Sequence, residues 1–246
     1  MKTRPAKPDQ NERKDRAEQT RKAILHAAIA EFSAHGLSGA RTEAIAESAG
    51  ANKALLYYYF KSKKDLYVAA IDEVSAKVVA DALAALDPAY SPGERLLRSA
   101  LNHFDRILTQ REFQSLLQQE MVRFQREESG SISHFFQNAF SPFMRKLQDA
   151  VQEGMNSGEL CEMDPLQVMY SIFGANVFYF MSAPMVQLAM PFDLFDANVL
   201  RLRREAAVNF LGQALFTDRA RGAQLASRVL LEQPMPPVKD FTFRRK

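Results

Sequence analysis

Apolar side chains return every three or four residues along almost the whole chain, and this spacing limits its fold more than any other feature. The repeat puts apolar groups on one face of an α-helix, whereas a half-buried strand needs strict alternation, which is scarce here. Ten glycines and eleven prolines in 246 residues leave few helix breakers, so an all-α protein is expected. Hydrophobic residues at 47% and charged residues at 25% supply enough apolar surface for a core, which excludes disorder as the overall state. No apolar run reaches the ~18 residues a membrane span needs. Residues 1–16 are polar rather than a charged leader with an apolar stretch, so secretion is not expected either. The single cysteine, Cys161, forms no intrachain disulfide and supplies no Cys-rich zinc site, which fits a reducing cytoplasm.

Along the chain, residues 1–17 read as a flexible basic arm with six basic residues and two prolines. A helix over 18–35 keeps Ile24, Leu25, Ala28, Ile29 and Phe32 on one face and stops at Gly36. Two short helices follow, over 42–49 and from Asn52 to about 60, with Gly50 between them. Two short helices joined by a Gly-containing turn and braced by a longer one form a helix-turn-helix, here over 18–64. Beyond the Lys61-Ser62-Lys63-Lys64 turn, helices are expected over 65–86, 94–108, 110–125, 132–156, 165–188, 196–216 and 219–231. They make residues 65–231 a C-terminal helical bundle for dimerisation and ligand binding, and residues 232–246 a Pro-rich tail. No internal repeat is present.

The formal net charge of +3 conceals a division. Residues 1–64 hold 13 Lys or Arg against 7 Asp or Glu, a net of +6, and residues 65–246 hold 19 against 22, a net of −3. A basic N-terminal unit ahead of a larger, slightly acidic one is the pattern of a chain whose first part meets a polyanion.

The third helix carries the chemistry. At ~100° per residue, Leu56 and Phe60 fall together on a core-facing side, and the opposite arc presents Lys53, Ala54, Tyr57 and Tyr58. A helix in the major groove needs a small residue for close approach, donors for base edges and hydroxyl or ammonium groups for phosphates. Ala54 meets the first need. Asn52 and Lys53 meet the second, and the tyrosines with Lys61, Lys63 and Lys64 meet the third. Amides at the starts of the short helices add anion affinity beside Thr42 and Asn52. Tyr59 either covers a core edge or joins the contact surface.

The run from Ala27 to Leu66, above all Ile45-Ala46, Gly50, Leu56-Tyr57 with Phe60, and Lys63 with Leu66, closely resembles the DNA-binding domain of TetR-family transcriptional regulators. The resemblance covers about 40 residues. It implies a homodimer whose paired recognition helices read a palindromic operator on double-stranded DNA. It also implies a C-terminal domain that dimerises through its last two long helices and binds a small effector that releases DNA. Carried onto this chain, it assigns Thr42 and Lys63 to phosphates, Lys53 to base edges, and Tyr57 and Tyr59 to backbone or base. Arg41 precedes Thr42 where many members have Thr or Ser, and Leu55 has no phosphate donor, so Arg41 is the expected substitute.

In the C-terminal part, 16 of 18 phenylalanines lie beyond residue 86 and nine of ten methionines beyond residue 64. Such side chains suit a core, a dimer face and an apolar pocket alike. Polar residues among them narrow the choice. Asn176, within the apolar run 170–181, needs a partner across a dimer seam or on a ligand. His103, Glu120, Phe124, Tyr170, Phe173 and Tyr179 complete the candidate effector set, with a solvated helix face the competing reading for His103 and Glu120. The four histidines lack metal-ligand spacing, and no nucleophile elbow or phosphate loop occurs, so no metal, cofactor or enzymatic activity is expected. A ligand-independent architectural DNA-binding protein is the alternative to a ligand-responsive regulator.

Overall fold

The computed structural model describes residues 10–126, 133 and 136–237, and these fall into two compact units. The first comprises residues 1–76 and 112–135, the second residues 77–111 and 136–246. The helices are α1 (Gln10–Gly39), α2 (Thr42–Ser48), α3 (Lys53–Tyr59), α4 (Lys63–Ala84), α5 (Pro92–Thr109) and α6 (Arg111–Gln125), followed by a π-helical turn (Phe136–Phe140) and α7 (Ser141–Asn156), α8 (Pro165–Val186), α9 (Ala197–Ala214) and α10 (Arg219–Glu232). No strand occurs among the described residues, and the all-α expectation is borne out.

In the first unit, α1 starts earlier than composition suggested, so residues 10–17 are helical, and residues 1–9 lie outside the described residues. The helix breaks at Gly36 (φ 70°, ψ 174°), at the expected stop, and resumes for one turn. Ile24, Ala28 and Phe32 of α1 bury against Ile45 and Ala46 of α2, Leu56 of α3, and Leu66, Tyr67 and Ala70 of α4. Gly50 adopts φ 62°, which a residue with a Cβ takes only at a cost. This lets the Ala51 N–H reach back to the Ala46 carbonyl at 2.9 Å and turns the chain sharply into α3. Ser62 caps α4 by accepting from the Asp65 N–H at 3.0 Å and donating to the Asp65 carboxylate at 2.8 Å. Leu116 of α6 joins the same core, and the Ser115 hydroxyl and Gln119 amide both donate to the Ser33 carbonyl of α1, at 2.6 and 3.0 Å.

In the second unit α5 is the central helix, with 13 of its 18 residues buried. Ser91 and Pro92 start it, a side-chain cap followed by a residue whose missing N–H costs nothing there. Its Leu96, Leu97, Ala100 and Leu101 pack with Leu147 and Val151 of α7, Ile172 of α8, Val208 of α9 and Val229 of α10. The continuous helix expected over 132–156 is not what forms: a π turn over 136–140 leads into α7, and residues 132, 134 and 135 lie outside the described residues. Pro142, in the first turn of α7, has no N–H for the preceding turn, which accounts for the break. Arg204 closes the second unit with a bidentate pair to Asp105, at 2.7 and 2.8 Å, and a 2.8 Å bond to the Gln233 carbonyl just past α10. Glu94 and Arg98, both buried on α5, form a network with Arg228 and Glu232 of α10. The tail from residue 238 lies outside the described residues.

Candidate nucleic-acid interface

Asn52 fixes the start of α3: its Oδ1 accepts from the Leu55 N–H at 2.8 Å, and its backbone is extended (φ −102°, ψ 163°). The cap occupies the carbonyl oxygen and leaves the amide nitrogen as a donor on an exposed residue. Leu56 is fully buried and Phe60 nearly so, which turns Lys53, Ala54, Tyr57 and Tyr58 outward as the helical wheel requires. Tyr58 is 79% exposed and meets Tyr59 edge to face at 5.2 Å. Tyr59 is partly buried against the core, as its core-edge reading expects.

The side chains of four more of the expected contact residues, Lys53, Thr42, Tyr57 and Lys63, already have intramolecular polar partners. The Lys53 ammonium lies 2.5 Å from the Glu43 carboxylate of α2. Their mutual hydrogen bond is the main reason that Lys53 titrates above its ordinary value and Glu43 below. Thr42 is only 6% exposed, and its hydroxyl accepts from the Tyr57 hydroxyl at 3.4 Å rather than lying open at the surface. Lys63 is half-buried and donates to the Ser38 carbonyl at 3.3 Å. Arg41 and Lys61 are exposed, and the Arg41 backbone N–H donates to Glu31 at 2.9 Å. Glu43 is the member that sequence reasoning missed. The available signal was an acidic residue in the first turn of α2, ten positions before an outward lysine.

The effector candidates divide between the units. Glu120 and Phe124 belong to the first unit. Glu120, 1% exposed, accepts from the Tyr67 hydroxyl at 2.9 Å and pairs with Arg123. Burial, reinforced by the bond to Glu120, pushes the Tyr67 phenol well above its usual value. The solvated face considered for Glu120 is therefore corrected to a buried network, and Phe124 is exposed.

In the second unit His103, Phe173 and Asn176 come together. Asn176, 1% exposed, donates to the Ala100 carbonyl at 3.1 Å and lies 3.4 Å from His103 Nδ1, while His103 meets Phe173 edge to face at 4.8 Å. The partner that Asn176 requires is thus on α5 of its own chain. Tyr179 sits in a neighbouring cluster with its hydroxyl on the Leu194 carbonyl at 2.7 Å, and Tyr170 is exposed.

Burial first, then the Arg106 charge, push the His103 imidazole down to about 3 from an ordinary 6.5. Because the folded state resists protonation that the unfolded chain accepts, His103 costs no stability above the unfolded value. Stability falls as pH drops from about 6.5 towards 3. His103→Gln should therefore flatten the decline in unfolding free energy between pH 7 and 5 by about 2 kcal/mol, read from urea melts. An unchanged pH profile would refute that role.

Residues 24–70 match a family model described as bacterial regulatory proteins of the tetR family. Residues 92–211 match the tetracyclin repressor-like C-terminal domain. The chain belongs to the TetR family. As a TetR-family chain it carries the helix-turn-helix domain of that family's transcriptional regulators. Over 56 residues it is 43% identical to the HTH-type transcriptional repressor SCO4008 of Streptomyces coelicolor, covering 23% of this chain and 29% of that one. It is 50% identical over 54 residues to the regulator RutR of Escherichia coli, covering 22% and 26%. The chain thus spans under a third of the length of these curated relatives. A putative transcriptional regulator from Saccharomonospora viridis, solved in complex with choline, shares the fold with a TM-score of 0.64 at 18% identity, covering 81% of this chain and 98% of that one. No helix among the described residues is long and apolar enough to cross a membrane.

Proposed function

We propose that this TetR-family regulator is a cytoplasmic repressor which binds a palindromic operator as a homodimer and leaves it when a small, largely apolar effector enters the second unit. The observation that carries the DNA reading is the outward arc of α3, where Lys53, Ala54, Tyr57 and Tyr58 stand opposite the buried Leu56. Arg41, Asn52, Lys61 and Lys63 flank that arc, and Tyr59 borders it. For dimerisation, the support is the exposed apolar surface of the last two long bundle helices: Phe178 (72%), Met181 and Met185 (74%) on α8, and Leu202 and Phe210 on α9. Exposed apolar groups in this number mark an interaction surface. Effector binding draws support from the choline complex of the Saccharomonospora viridis protein and from the aromatic row Phe143, Phe173 and His103.

Operator affinity should fall steeply with salt, by about 10³–10⁵ between 50 and 200 mM if six to ten phosphates are neutralised. Lys63→Ala should weaken every DNA sequence alike and reduce the log–log slope by about one, whereas Lys53→Ala should also relax base preference at one position by about 1–3 kcal/mol. Gel-shift titrations on selected and scrambled sites measure both effects. A salt-insensitive affinity would overturn the reading, and a genomic selection that returns no palindrome would favour a ligand-independent architectural protein instead.

A further inference from the structure

We propose that the second unit recognises its effector as an organic anion, a small aryl or alkyl carboxylate whose charged end meets Arg106 and His103 and whose apolar body lies along Phe173 and Phe143. This rests on the effector reading above and adds the ligand's chemical class to it.

The support is a buried polar stripe on the central helix, apart from its ion-paired Glu94, Arg98 and Asp105. Ser99, Asn102, His103 and Arg106 recur at helical spacing along one side of α5, the central helix of the unit, and Gln110 follows at its C-terminal end. Each is buried or half-buried. Buried polar atoms are almost always hydrogen-bonded, yet Ser99 Oγ, Asn102 Oδ1, Arg106 Nε and Gln110 Oε1 find no partner among the described residues, and neither does Asn176 Oδ1 on α8.

Arg106 sets the sign of the ligand. It is 8% exposed, and among the described residues its guanidinium makes one hydrogen bond, from Nη1 to the Val78 carbonyl at 2.7 Å. Among the described residues no carboxylate pairs with it. Asp81 acts on it only electrostatically and accepts instead from Gln110 Nε2 at 3.0 Å. Burial lowers Arg106 to about 10, so it keeps its charge at neutral pH. A buried cation whose neighbouring carboxylate is already engaged by Gln110 gains from a directly bonded partner, and the planar group that complements a guanidinium is a carboxylate.

His103 supplies a second donor. The Asn176 amide nitrogen donates to the Ala100 carbonyl, so the His103 Nδ1 facing it at 3.4 Å serves as an acceptor and the neutral ring carries its proton on Nε2. One charged and one neutral donor thus stand one helical turn apart on α5. Phe173 lies 4.8 Å from the His103 ring and 6.0 Å from Phe143, which provides apolar surface beside the charge. A neutral isostere leaves the guanidinium uncompensated, and a cation is repelled by it.

The test uses the full chain, with thermal shift and titration calorimetry against benzoate, phenylacetate, 4-phenylbutyrate and octanoate. Each acid is compared with its primary amide and the corresponding amine. At least one carboxylate should bind tenfold or more tightly than its amide. Arg106→Gln should abolish that preference, and Arg106→Lys should retain part of it. Amides or amines that bind as well as the acids overturn the anion class while leaving a ligand-responsive regulator intact. Failure of every probe, whatever its charge, counts against both readings. Should Arg106→Gln fail to fold, the acid-to-amide ratio on the unmodified chain decides the question.

Discussion

Leu56→Ala is expected to abolish specific DNA binding while most of the helical signal survives. Helix α3 has only seven residues, well below the ~12–15 at which an isolated helix becomes even marginally stable in water, so packing must hold it in place. Leu56 is its one buried residue, at 0% exposure against Ile24, Phe32 and Ile45. Truncating a buried leucine to alanine costs about 2–5 kcal/mol. Spread over a large core that loss is often survivable, but here it falls on the single anchor of the element that presents Lys53, Ala54, Tyr57 and Tyr58. Hydrogen exchange over residues 53–59 should accelerate towards that of an unprotected segment, and gel-shift affinity should fall to the non-specific level. Retention of operator affinity within a few fold would show that something other than Leu56 positions the helix.

Gly222→Ala should destabilise the second unit by about 3 kcal/mol or more, at or beyond the usual range for overpacking. A Cβ at position 222 would sit 1.9 Å from the Gly212 carbonyl oxygen and 2.8 Å from the Phe216 ring, and one at Gly212 would sit 2.6 Å from the Gly222 carbonyl. Two backbones, not flexible side-chain ends, make the collision. It can be relieved only by α10 moving away from α9, which would open the core around Phe216 and Val229. For a chain of this size the melting temperature should drop by roughly 10 °C. Gly174→Ala supplies the contrast: nothing lies within 4 Å of its added Cβ, and an alanine inside α8 should stabilise the helix by up to about 1 kcal/mol. Equal melting of the two variants would contradict the close helix crossing.

Local pattern made most of the helices readable. The break at Gly36, the turn at Gly50, the cap at Asn52 and the inward pair Leu56 and Phe60 all follow from residue type and spacing over a few positions. What escaped depends on partners far along the chain. The wheel turned Lys53 outward correctly, but nothing in α3 itself announces Glu43, ten residues earlier. Thr42 looked open at a helix start, yet Tyr57 folds over it. Glu120 read as a surface charge because Tyr67, 53 positions away, gives it a reason to be buried. Asn176 was recognised as needing a partner, but that partner is a backbone carbonyl 76 positions away, and backbone groups leave no mark in a sequence. Only the π turn had a local cue that was passed over, Pro142 near the start of α7.

The Lys53–Glu43 pair alters how ions would be counted at the interface. On the proposed reading, a lysine arriving at a phosphate or base edge exchanges one carboxylate for another anion. The cation condensed on that phosphate is still released, as it is for a bare ammonium. The freed Glu43 then needs a cation from solution. A salt titration would therefore register fewer ions released than there are basic side chains touching the duplex, and the shortfall is the part of the recognition surface that the free protein keeps internally neutralised.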